Sequence, residues 1–196
     1  MKTFKLSLLV IATALFFSCD DDDDNPVQIN PEELITSVTL VLESPSGNVT
    51  LSATDVDGFE GPSPVVTTTN GGNLQANTTY TVTSISLLDS SDPNDIENIT
   101  DEIEEEADEH QFFYQISGLD ATASYTDSEA DYDDDSDSDL PVGLSFTLVT
   151  GDASSGTFTL TLRHELDKEA AGVDEGDITN AGGETDTSVT WNLVIE

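Results

Sequence analysis

The chain has little of what most catalytic and nucleic-acid-binding proteins use. It holds one cysteine, Cys19, so no disulfide can form within it. It has 4 lysines and arginines against 41 acids, a formal net charge of −37. That field repels nucleic acid and anionic lipid and attracts cations. Beyond residue 18 the only bases are Arg163 and Lys168, which leaves almost nothing to hold an anionic substrate or transition state. There is no G-x-S-x-G, no phosphate-binding glycine loop and no H-E-x-x-H. Together these absences predict a protein that is not an enzyme. Aromatics make up only 7%, and high charge with few aromatics can mean disorder. Here, however, the apolar residues fall in short alternating runs, which disorder does not require.

The first two dozen residues carry the clearest signal. Lys2 and Lys5 precede an apolar run from Leu6 to Phe17 broken only by Ser7 and Thr13. A dozen residues are too few to span a bilayer, which takes about 20, but they suit a secretory leader over 1–18. Phe16-Phe17-Ser18-Cys19 resembles a bacterial lipobox. That resemblance implies that Cys19 becomes an acylated N-terminus, and two or more acyl chains anchor stably where one does not. The bland reading is an ordinary signal peptide with an incidental cysteine. The run Asp20 to Asp24 resembles the acidic export signal of Bacteroidota surface lipoproteins. It implies a protein lipid-anchored in the outer membrane and facing the cell exterior; a solvated spacer on a periplasm-facing anchor is the alternative. Residues 19–33, with Pro26 and Pro31, read as an extended acidic tether.

Residues 34–196 read as one domain. Val38, Leu40 and Leu42 alternate with Thr39 and Val41, Val49, Leu51 and Ala53 alternate with Thr50, Ser52 and Thr54, and the turn between them makes a hairpin. Val65 to Thr68 suits an edge strand. Thr79 to Leu88 reads as one long strand with a phase slip near Ser84, which a bulge would explain. Residues 93–108 predict a helix capped by Asp92, with Pro93 at its first position and Ile96, Ile99, Ile103 and Ala107 in one stripe. Four more alternating runs follow: His110 to Ile116, Ala121 to Tyr125, Val142 to Leu148 and Phe158 to His164. After a loop over Asp167 to Asp186, Val189 to Ile195 closes the chain. Eight or nine short strands with one inserted acidic helix predict a mostly β fold, an antiparallel β-sandwich.

Glu104 to Tyr114 (EEEADEHQFFY) and Leu162-Arg163-His164-Glu165 resemble small Bacteroidota lipoproteins often named "type 1 periplasmic-binding fold superfamily". That name implies an α/β ligand-binding fold, whereas the run of strands argues for β. The resemblance also implies an accessory role beside an outer-membrane receptor, capturing a nutrient or metal.

Candidate ligands follow from phase. His110 ends the core-facing row of Phe112, Tyr114 and Ile116; His164 ends that of Phe158, Leu160 and Leu162. Glu106, Glu109 and Glu165 flank them. If the two strands are neighbours, two imidazoles and one or two carboxylates converge, a ligand mix that suits zinc, copper(II), nickel or iron(II). The alternatives are two strand-end histidines bonded to nearby carboxylates, or a haem held by paired histidines. Asp131, Asp133 and Asp135 have the i, i+2, i+4 spacing of a calcium loop. Ser136 stands where an EF-hand needs glycine, so a solvated loop is the competing reading. The expected function is capture of a metal cation or small ligand by a surface lipoprotein, and a structural or adhesive surface protein without a small ligand is the alternative.

Overall fold

The computed structural model describes residues 34–55, 64–133, 136 and 138–196. These belong to one compact unit, Pro31–Glu196. The leader, Cys19, the aspartate run and the tether lie outside the described residues, as does Asp135 of the acidic loop.

The chain is mostly β and antiparallel, with one α-helix among the described residues. The first strands are β1 (Ser37–Leu42), β2 (Val49–Thr54), β3 (Val65–Thr68), β4 (Asn73–Leu74), β5 (Thr79–Val82) and β6 (Ile85–Asp89). Next come β7 (Glu97–Asn98), α1 (Ile99–Glu105), β8 (His110–Ser117), β9 (Ala121–Tyr125), β10 (Phe146–Thr150), β11 (Ser154–His164) and β12 (Glu184–Ile195). The strands form three sheets: β3-β2-β1-β6-β7, β5-β10-β9 and β4-β12-β11-β8. Alternate residues of all three meet in one core. Val38, Leu40 and Leu42 bury from β1, Phe112 from β8, Leu160 and Leu162 from β11, and Trp191 and Leu193 from β12. The indole N–H of Trp191 donates to the Ser52 carbonyl at 3.0 Å, tying β12 to the five-stranded sheet. Phe146 of β10 stacks over Phe158 of β11 and Tyr114 of β8, which closes the three-stranded sheet on the same core.

The strand count runs to twelve rather than nine for two reasons. Residues 73–74 and 97–98 add short pairings at sheet ends, and the 79–88 run divides. Its phase slip at Ser84 is not a bulge. β5 pairs with β10 in one sheet, and β6 pairs with β1 in another, so the chain changes sheets there and both halves keep a core-facing row. An isolated bridge between Glu43 and Thr81 marks the corner.

The helix is also shorter than the stripe predicts. Asp92 accepts from the Asn94 amide and closes a turn, not a helix. Glu97 and Asn98 then extend to pair with β6, leaving Ile96 exposed, and α1 begins after Asn98. It stops at Glu105, where further acids meet the negative end of the helix dipole. Ile99 and Ile103 bury as expected. Ala107 buries in the turn that follows and leads into His110.

Candidate metal centre

The two histidine-bearing strands are direct neighbours. β8 and β11 pair antiparallel with His110 opposite His164, the last pair of the ladder. Same-phase residues at a directly paired position project to one face, and this brings both rings together at the end of the core. The ring centroids lie 4.4 Å apart with planes inclined by 18°. Both histidines are essentially buried.

The third member comes from β12, which pairs with the other edge of β11. Leu162 faces Thr187 and Arg163 faces Thr185, so Asp186 is an extra residue in the ladder: a β-bulge. Bulges re-aim side chains and recur beside active sites. In strict alternation Asp186 would share the outward row of Ser188 and Thr190, yet its carboxylate is fully buried against the rings. Oδ2 lies 3.8 Å from His110 Nε2, and Oδ1 lies 3.8 Å from His164 Nδ1.

The opposite nitrogens are held from the other side. His110 Nδ1 lies 3.1 Å from the Glu106 carbonyl. A carbonyl only accepts, so Nδ1 carries the proton and Nε2 is the nitrogen turned to Asp186. His164 Nε2 lies 3.5 Å from Oε2 of Glu109, whose side chain is 45% exposed. Each ring therefore has one nitrogen on an orienting acceptor and the other on the buried carboxylate. Histidine metal ligands have the same division, with an outer partner fixing the ring.

Two groups bring ligand atoms within 4.8 Å of one another: Glu106 with His110 and His164, and Glu109 with His164 and Glu165. Tetrahedral zinc with bonds of about 2.1 Å spaces its ligand atoms by about 3.4 Å, so each group lies near that spacing, and the group holding both histidines reaches one shared ion only if the stacked rings turn apart. A haem does not fit. Its axial imidazoles stand end-on to opposite faces of the macrocycle, and rings stacked at 4.4 Å leave no slot between them.

The surrounding loops are built to hold this geometry. Glu165 has φ 49°, a left-handed conformation unusual for a side chain that is not glycine. After the excursion over 165–183, Gly183 returns against β11. A Cβ there would stand 2.2 Å from the His164 carbonyl oxygen, so only glycine passes. Arg163 donates to Gly182 O and Thr185 Oγ1, clamping that return. Lys168 is buried and donates from Nζ to Ala107 O at 2.7 Å, His110 O at 3.0 Å and Glu129 Oε1 at 2.7 Å. Burial lowers the Lys168 pKa, and the bond and charge of Glu129 pull it back up. The two bases of residues 19–196 thus both brace the histidine cluster from behind.

Asp131 and its neighbours do something else. Asp131 Oδ2 accepts from the Ser128 amide and hydroxyl and caps a short 3-10 turn, Glu129–Asp131. Asp127 accepts from the Gly143 and Ser145 amides and the Tyr132 hydroxyl. Asp135, the third member of the calcium-like spacing, lies outside the described residues. A separate cleft of about 460 Å³ lies between β8 and β9, lined by Tyr114, Ile116, Ala123, Tyr125 and Glu175. Its two tyrosine hydroxyls are committed to the fold, Tyr114 to Gly143 O and Tyr125 to Phe112 O.

Comparison with protein-family models, curated proteins and solved structures finds no match for this chain.

Proposed function

We propose that this is an outer-membrane lipoprotein that captures a borderline divalent transition-metal ion, zinc or copper(II), at His110, His164 and Asp186. The observation that carries this reading is the buried Asp186 carboxylate standing 3.8 Å from a nitrogen of each histidine. Imidazole with carboxylate is a donor set these ions favour over calcium or magnesium. Glu106, Glu109 and Glu165 flank the site, Glu165 exposed and the other two half-buried. The acidic exterior concentrates cations around the site. An acylated Cys19 and the acidic tether would hold the domain outside the cell beside a receptor that takes the ion onward.

The test is a calorimetric zinc and copper titration of the full-length protein in detergent, beside His164→Ala and Asp186→Asn. The reading expects saturable binding that both substitutions weaken at least tenfold. Absence of binding, or binding that neither substitution alters, contradicts it. It would favour a structural surface protein without a small ligand.

A further inference from the structure

We infer that the centre holds two metal ions bridged by the Asp186 carboxylate, one on each imidazole; this rests on the metal-binding reading above. An imidazole donates through a lone pair lying in its ring plane. The planes of His110 and His164 are inclined by only 18° with centres 4.4 Å apart, so they do not meet within bonding distance of either nitrogen. One ion cannot lie in both planes unless the rings unstack, and both are packed in the core.

The placement of the oxygens points the same way. His110 Nε2 faces Oδ2 and His164 Nδ1 faces Oδ1, each at 3.8 Å. With metal–ligand bonds of about 2.1 Å, a nitrogen and an oxygen at that spacing accept an ion between them at an angle of about 130°. Approach by about 0.4 Å makes the angle tetrahedral. There are two such slots, on two oxygens of one carboxylate. Ions bridged in this way lie about 3.5–4 Å apart, close to the 4.4 Å spacing of the rings. The other nitrogens are already turned to Glu106 O and Glu109, so they do not compete.

Charge agrees. Asp186, Glu106, Glu109 and Glu165 place four carboxylates around the two rings. One divalent ion leaves that shell strongly negative, whereas two neutralise it. Lys168 changes nothing, because Glu129 takes its charge at 2.7 Å.

The test loads copper(II) into the purified protein in detergent after chelator treatment. Copper per chain is measured by elemental analysis after gel filtration, with electron paramagnetic resonance at each step. Two copper ions per chain are expected. The signal per copper should fall as the second ion binds, because a carboxylate bridge couples the spins. Asp186→Asn, shown to be folded by circular dichroism, should bind at most one ion or give an uncoupled signal. One copper per chain at full signal overturns the dinuclear assignment and leaves the metal-binding reading standing. Two copper ions with uncoupled signals overturn the bridge. No copper at all overturns both. If Asp186→Asn fails to fold, the stoichiometry and signal intensity of the unsubstituted protein decide.

Discussion

Replacing Lys168 with methionine should damage both stability and the metal centre, for separable reasons. The ammonium is buried and spends its three donors on Glu129 Oε1, Ala107 O and His110 O. Methionine fills much of the space but leaves the Glu129 carboxylate buried with no cation. Breaking a buried pair from one side costs about 3–5 kcal/mol. With a urea m-value of about 2 kcal/mol/M, that moves the unfolding midpoint down by about 2 M. Removing both charges is a different perturbation. In Lys168→Met with Glu129→Leu no charge is stranded, and only two backbone carbonyls lose a partner, about 1 kcal/mol each. The double variant should therefore be more stable than the single one. The same bonds hold the turn that carries Glu106, Glu109 and His110, so zinc affinity should fall about 10–100-fold in both variants, as for other losses of outer support. Urea unfolding followed by Trp191 fluorescence, with zinc calorimetry, checks both halves. A single variant within 1 kcal/mol of the parent, or a double variant no better than the single, would refute the electrostatic argument.

Gly183→Ala should cost about 1–3 kcal/mol and weaken metal binding, because its Cβ meets the His164 carbonyl at 2.2 Å. Gly182→Ala is the control: φ is 64° but nothing lies within 4 Å, so thermal unfolding should move less and metal binding hardly at all. Burial raises the Tyr125 pKa to about 12. The unfolded chain ionises first, near pH 10, so this contribution is intact below pH 10 and is lost as pH climbs towards 12. It amounts to about 3 kcal/mol at 1.36 kcal/mol per unit. Tyr125→Phe should flatten the alkaline decline in urea-measured stability, and an unchanged slope would contradict it. Cys19→Ser should abolish incorporation of labelled fatty acid and release the protein from the membrane fraction.

Much of the fold is legible locally. Each alternating run contains a strand, although that of 142–148 is strand only from Phe146 and that of 79–88 divides in two; alternation records which face a strand buries and needs no knowledge of its partner. The errors arise where one local signal serves another purpose. Asp92-Pro93 reads as a helix start, yet the same Asp92 geometry closes a turn. A phase slip at Ser84 reads as a bulge within one strand, yet a chain changing sheets gives the same pattern. The histidines were findable from phase alone; their pairing required knowing that β8 and β11 are neighbours.

Asp186 was not findable in that way. It sits in what reads as an acidic loop, and a bulge set by β11 turns it inward. The only trace is its position just before the final alternating run and three residues after Gly183. Lys168 leaves a stronger trace, its rarity. In a chain with so few bases, a lysine among acids is worth asking about, because only a specific partner justifies burying it.

Zinc titration of the full-length protein tests the centre most directly. The parent should bind saturably, and Asp186→Asn, which keeps the shape of the side chain and removes its charge, should weaken binding at least tenfold while remaining folded. Equal binding by the two proteins would place the ion elsewhere and contradict the assignment of His110, His164 and Asp186 as its ligands.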